Sequence, residues 1–232
     1  MNKVRFVVLN MDKNVERLKN ISQNLKTYNI PFLRVRAING YDMANDEDAK
    51  LLLAPRKHLL GAVFQSVETK KKWIYDGTIH KSFPNLNLFG HYGTKGLTLS
   101  NIKAFYIISK LNMNYEWFCI LEDDAELDDD SYNKIRGFVE NQSNSNYDIV
   151  SLDARQNGFG GTCAVLYNKR IIPSLICDLH PLSKFSILAN NIEDKSLGNL
   201  WDWKLWKYLN FVNKNFTSLP CVSSGKFIST IS

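Results

Sequence analysis

Apolar runs and amphipathic stretches alternate from the first residues of the chain. Val4 to Leu9 is a β-branched-rich apolar run, and Asn14 to Tyr28 carries Val15, Leu18, Ile21, Leu25 and Tyr28 at helical spacing, with Asp12 or Asn14 available as its cap. After Asn29 and Pro31, Phe32 to Ile38 alternates as a second strand and stops at the turn signal Asn39-Gly40. The opening therefore predicts β-α-β, the unit of a parallel sheet.

A short helix is expected from Asp46 to about Leu60, whereas Ala62 to Tyr92 has no sustained period and reads as an irregular excursion. Regularity returns at Gly96, where Leu97, Ala104, Phe105, Ile108 and Leu111 make an apolar stripe that feeds the strand Trp117 to Leu121. Asp128-Asp129-Asp130-Ser131 suits a helix N-terminus, because free N–H groups and the dipole favour negative charge there; that helix runs to about Asn141. Strands follow at Tyr147 to Leu152 and Thr162 to Tyr167. Then come helices at about Lys169 to Asp178 and Leu200 to Phe211, and short C-terminal strands. The pattern predicts a single α/β domain over residues 1–232, with a Rossmann-like, mostly parallel central sheet flanked by helices.

Composition changes this picture little: 232 residues, 44% hydrophobic and 22% charged, are an ordinary globular mixture. The net charge of +6 suits phosphates, nucleic acid or an anionic surface. The basic residues are scattered, however, and the one short run, Lys70-Lys71-Lys72, reads as a solvated face. With no nucleic-acid fold motif, no specific nucleic-acid partner is expected. No apolar run reaches transmembrane length and the first apolar stretch is too short for a signal sequence, so a soluble, cytoplasmic protein is expected. Cys119, Cys163, Cys177 and Cys221 lack any paired spacing and suggest neither a disulfide framework nor a zinc site.

Chemistry points to Glu122-Asp123-Asp124, placed directly after the apolar strand 117–121. In open α/β sheets, ligands bind beyond the carboxyl ends of strands. Alternate carboxylates on an extended turn can share a side, and two hard oxygen ligands are what Mg²⁺ or Mn²⁺ needs while it also holds diphosphate oxygens. The same turn is compatible with phosphatases and other Mg²⁺ enzymes, or with a solvated acidic turn that merely ends a strand.

A pattern spread along the chain narrows this. Val8-Leu9-Asn10 with Arg17, Arg36-Ala37-Ile38-Asn39-Gly40, Gly93-Thr94-Lys95-Gly96-Leu97-Thr98-Leu99-Ser100-Asn101, and above all Ile120-Leu121-Glu122-Asp123-Asp124-Ala125 occur in the order found in glycosyltransferase family 25. Gly161 to Tyr167, Asp202, Pro220-Cys221-Val222 and Ser229-Thr230 follow the order of that family's C-terminal half. The chain thus resembles the lipopolysaccharide and collagen galactosyltransferase group. The resemblance implies a GT-A type fold and inverting transfer of a hexose from a UDP-sugar donor to a hydroxyl of a glycan or protein acceptor, with Mn²⁺ or Mg²⁺ as cofactor. Carried over by position, Asn10, Arg17, Ser100, Glu122 and Asp123 would bind the donor, Glu122 and Asp124 the metal, and Asp202 would lie near the acceptor.

The chain departs from the family in Asn101, which stands where the family has His, and in Leu97, which replaces Cys. Val222-Ser223-Ser224-Gly225 lacks a further metal ligand. These departures leave open a non-catalytic sugar-nucleotide or glycan-binding protein of the same fold. Inverting transfer needs a carboxylate base. Asp202, flanked by Trp201 and Trp203, is the first candidate, and Asp153, after the strand Ile149 to Leu152, the reserve. Trp201, Trp203 and Trp206 suit either sugar stacking or a core, and His58, His80, His91 and His180 read as packing or surface residues.

Overall fold

The structure, a computed structural model, describes residues 2–53, 92–111, 114–155, 161–180 and 201–225. The chain divides into two compact units. The first comprises Met1–Arg36, Ile108–Ile172 and Leu209–Ser232, and the second Ala37–Ile107 and Pro173–Tyr208.

The first unit holds a seven-stranded sheet built from β1 (Val4–Asn10), β2 (Phe32–Arg36), β3 (Trp117–Glu122), β4 (Ala125–Glu126), β5 (Ile149–Asp153), β6 (Ala164–Asn168) and β7 (Phe216–Ser224). Their order is β2-β1-β3-β6-β5-β7-β4. The pairs β1–β2, β1–β3 and β5–β7 are parallel, and β3–β6, β5–β6 and β4–β7 antiparallel. The expected α/β class and central sheet are present. Five strands run the same way, as expected, and β6 and the two-residue β4 run against their neighbours, which makes the sheet mixed.

Two helices of this unit are amphipathic, as their spacing predicts. Helix α1 (Val15–Thr27) buries Ile21 and Leu25. Among the helices described, α2 (Glu47–Leu53) and α3 (Tyr92–Lys110) follow in the chain, then α4 (Asp129–Glu140), which buries Ile135 and Val139. These side chains join Val4, Phe6, Val8, Trp117, Cys119, Leu121, Val150, Leu152, Leu166 and Val222 in one core. Helix α4 starts in a capping box. Asp128 Oδ1 accepts from Ser131 N at 2.8 Å while Asp128 N donates to Ser131 Oγ at 3.1 Å, and the hydrogen bonds from the Ser131 hydroxyl first and its backbone N–H second hold the Asp128 carboxyl below its ordinary range.

In the second unit α3 begins four residues before the expected start at Gly96 and packs on the loop after β2. A Cβ on Gly96 would fall onto the Ile38 carbonyl oxygen and within 2.7 Å of Gly40 N, so only glycine permits this approach. Ser100 Oγ donates to Gly96 O (2.6 Å) and accepts from Ile38 N (2.8 Å), fixing the same loop. Helices α5 (Ile172–Asp178) and α6 (Trp201–Phe211) complete the described elements. Helix α2 is described as far as Leu53, and the rest of the expected 46–60 helix and most of the 62–92 excursion lie outside the described residues. No helix among the described residues is long and apolar enough to cross a membrane.

Candidate active site

The strand directions gather one edge of the sheet. β1 and β3 run parallel, with Leu9 paired to Glu122, so Asn10 and the acidic turn leave the sheet together. β1 continues through α1 to β2 on one side, while β3 has β6 on its other side. The two strands therefore flank a change in connection direction, where open α/β sheets bind ligands. β5 points the same way, because it and β3 are both antiparallel to β6, which brings its last residue, Asp153, to that edge.

Asp123 is the hub of the acidic turn. Its Oδ2 accepts from Asn10 Nδ2 (2.8 Å) and Asn14 Nδ2 (3.2 Å), and its Oδ1 pairs with Arg17 Nη1 (3.3 Å). Asn10, only 1% exposed, also donates to Asn14 O and accepts from Arg34 Nε. Asn14 stands at the N-cap of α1 but makes no side-chain cap bond, its amide being turned to Asp123 instead. The donor-binding candidates Asn10, Arg17 and Asp123 are thus brought together, in contact with one another. This carboxylate joins the β1–α1 connection to the turn after β3.

Glu122 and Asp124 flank that hub. Glu122 N donates to Cys163 O (2.8 Å) and Glu122 Oε1 accepts from Thr162 Oγ1 (3.3 Å). Desolvation first and the neighbouring Asp124 charge second push the Glu122 carboxyl up to about 7, against the opposing pull of Arg155 and Thr162. Desolvation likewise raises Asp124, with the Arg17 charge opposing. Asp124 Oδ1 is buried with no hydrogen-bond partner among the described residues, while Asp124 O accepts from Gly225 N at 2.6 Å just beyond β7. A cleft of about 320 Å³ opens beside the turn, bounded by Asn20 and Asn24 of α1, Asp124 to Asp128 and Ser223.

Asp153, the reserve base, is committed elsewhere. Its carboxylate is fully buried and accepts from Arg155 N (2.9 Å), Arg155 Nε (2.9 Å), Arg155 Nη2 (2.6 Å) and Cys163 N (3.1 Å). Burial alone would raise its carboxyl, but the Arg155 and Cys163 bonds prevail and hold it below the ordinary range. The carboxylate is the hydrogen-bonded partner of the Arg155 guanidinium. A Cβ on Gly161 would lie 2.6 Å from the Arg155 guanidinium carbon and 2.7 Å from Asp153 Oδ2, so a side chain there would displace the guanidinium from its present seat.

The remaining candidates lie in the second unit. Ser100 is 1% exposed, and its hydroxyl bonds Gly96 O and Ile38 N. Asn101, at the position of the family's His, donates to Leu97 O (3.0 Å) within its own helix. Asp202 sits half-buried in the first turn of α6. Trp201 is 1% exposed with its ring 6.2 Å from that of Phe105, and Trp206 is buried as well. Those two indoles are core, which removes the sugar-stacking alternative for them. The Trp203 ring lies outside the described residues. His180 is buried with Nε2 2.8 Å from the Leu52 carbonyl oxygen, a packing residue as expected; His58, His80 and His91 lie outside the described residues.

Sequence reasoning missed Asn14, Thr162 and Arg155. Asn14 is four residues past Asn10, Thr162 opens an expected strand, and Arg155 lies two residues past a strand-end aspartate. Those are the signals that were available.

Residues 3–173, more than half of the chain, match the family described as Glycosyltransferase family 25 (LPS biosynthesis protein). No curated protein sequence matches. Among solved structures the chain is similar to a glycosyltransferase involved in the glycosylation of the major capsid of PBCV-1, with TM-score 0.44 and 10% identity over 97% of this chain and 94% of that one. It is also similar to mouse xyloside xylosyltransferase 1 in its apo form, with TM-score 0.42 and 10% identity over 93% of this chain and 72% of that one. Matched through its opening strands, its acidic turn and the strands beyond, the chain belongs to glycosyltransferase family 25 and is a glycosyltransferase.

Proposed function

We propose that the protein transfers a hexose from a UDP-sugar to a hydroxyl of a glycan or protein acceptor, with inversion at the anomeric carbon and with Mn²⁺ or Mg²⁺ bound. The observation that supports this most is the pairing of Glu122 with Asp124 at the carboxyl end of β3, where Asp124 Oδ1 is buried and unpartnered. A buried carboxylate oxygen without a donor is costly unless a cation or ligand completes it. Among the described residues no cluster of three or more metal-binding side chains occurs. That fits a magnesium-type ion, which takes one or two carboxylates and fills its octahedron with substrate phosphate oxygens and water.

Glu122 and Asp124 would hold the ion, whose contribution when bound is to neutralise charge on the departing nucleoside diphosphate. The protein's own residues do the rest. The Asn10–Asn14–Arg17 cluster fixes Asp123, and through it the backbone that aims both neighbouring carboxylates. Asp202 is the proposed base, taking the proton from the acceptor hydroxyl as its oxygen attacks opposite the leaving diphosphate.

UDP release measured over a panel of UDP-sugars tests transfer directly. Asp124→Ala is expected to weaken UDP binding in Mn²⁺ by about tenfold or more, the loss of one charge-assisted ligand. Calorimetry showing the same UDP affinity in the variant would exclude this placement of the donor.

A further inference from the structure

The guanidinium of Arg155 is built into the same sheet edge. Its Nε and Nη2 are held in a fork by the fully buried Asp153 carboxylate, while half of the arginine side chain remains exposed. Nη1 makes no hydrogen bond among the described residues. The fork has a rigid floor: Asp153 Oδ2 also accepts from Cys163 N, and Gly161 leaves room for the guanidinium where any Cβ would displace it. Gly161 adjoins Thr162, which donates to Glu122, and Cys163 accepts from Glu122 N, so two short chains of bonded neighbours connect Arg155 to the acidic turn.

A fixed arginine is suited to oxyanion recognition. The guanidinium is planar, permanently charged and weakly hydrated, and a carboxylate occupying one edge leaves the other edge pre-oriented. The carboxylate here is out of solvent, so it orients the cation without exposing a competing negative surface. Surface salt bridges are ordinarily weak and mobile; four hydrogen bonds into a buried acid make this one stiff.

We propose that Arg155 binds the diphosphate of the sugar-nucleotide donor and its departing nucleoside diphosphate through its exposed edge, with Asp153 and Gly161 as its positioning residues. This rests on the donor reading above and adds a residue to it. Charge developing on the leaving oxygen is met by the guanidinium, beside the turn whose Glu122 and Asp124 would hold the ion. Asp153, which resembles a base by its place at a strand end, acts only through Arg155.

Binding of UDP, inorganic pyrophosphate and uridine is measured by calorimetry, in Mn²⁺ and without it, for the wild type, Arg155→Lys and Arg155→Gln. Because Arg155→Gln leaves a buried unpaired acid, the doubly neutral Asp153→Asn/Arg155→Gln is measured beside it, with thermal melting to verify folding. The expected result is a loss of about tenfold or more for UDP and pyrophosphate in both Gln variants, the worth of one or two charge-assisted hydrogen bonds, with uridine unchanged within about twofold. Arg155→Lys is expected to recover part of the loss, retaining charge without the fork. Equal weakening of uridine and UDP, or unaltered UDP affinity in folded variants, would overturn the role of Arg155 and leave the nucleotide reading intact. If the wild type binds pyrophosphate through Arg155 but neither UDP nor uridine, the nucleotide reading fails and the anion site stands. If it binds neither UDP nor pyrophosphate, both fail.

Discussion

Glu122 shows how a single carboxylate reports on its surroundings. Its carboxyl is pushed up to about 7, first by desolvation and then by Asp124, so between about 4.5 and 7 the folded chain holds a proton that the unfolded chain has released. A raised folded-state value stabilises the native state fully below the unfolded value and loses that contribution as pH rises through the folded one. In metal-free protein the Glu122→Gln variant, which keeps the shape without the charge, should therefore gain thermal stability relative to wild type as pH rises from 5 to 8. Melting temperatures of the two proteins, compared at each pH, test this. A difference that stays flat over that range would mean that the carboxylate is not desolvated. The effect is moderated because Glu122 keeps partial solvent contact.

At the scale of elements, two helical glycines separate packing from propensity. Gly96 of α3 faces backbone atoms of Ile38 and Gly40, whereas a Cβ on Gly137 of α4 would meet nothing within 4 Å. Gly96→Ala should cost about 1–3 kcal/mol by overpacking, while Gly137→Ala should stabilise by roughly 0.5–1 kcal/mol through helix propensity. Urea denaturation of both variants checks the opposite signs; a neutral Gly96→Ala would show that the loop yields. The same residues explain what the sequence revealed and what it concealed. Buried strands such as Val4 to Leu9 and Trp117 to Leu121 are continuous apolar runs and could be read directly. The start of α3 could not, because Gly93 and Gly96 argue against helix locally and a tertiary contact outweighs them. β4 has only two residues and owes its strand character to pairing with Ser223 and Ser224 of β7. Pairing direction, which makes the sheet mixed, has no local signal. The acidic triad stood out because it ends a core strand. Its internal division of labour did not, since Asp123 is claimed by Asn10, Asn14 and Arg17, all more than 100 residues away.

For the whole molecule the open question is which carboxylate takes the acceptor proton. Two strand- or helix-end aspartates fit the sequence, and the structure treats them differently. Asp153 is fully buried, accepts five hydrogen bonds from Arg155 and Cys163, and is held below the ordinary carboxyl range, which makes it a poor proton acceptor. Asp202 is half-buried in the first turn of α6. It belongs to the second compact unit, whereas the acidic turn, Arg17 and Arg155 all belong to the first. With Asp202 as the proposed base, donor binding and turnover rest on different residues. Asp202→Asn should leave UDP affinity within about twofold of wild type while lowering kcat by about 10²-fold or more, the usual contribution of a general base. Asp153→Asn should instead weaken UDP and pyrophosphate through loss of the Arg155 fork and lower the melting temperature, since it removes a buried charge partner. Steady-state kinetics with a donor shown to be turned over, together with UDP calorimetry on both variants, separates the two patterns. Undiminished kcat in Asp202→Asn would remove Asp202 from the mechanism.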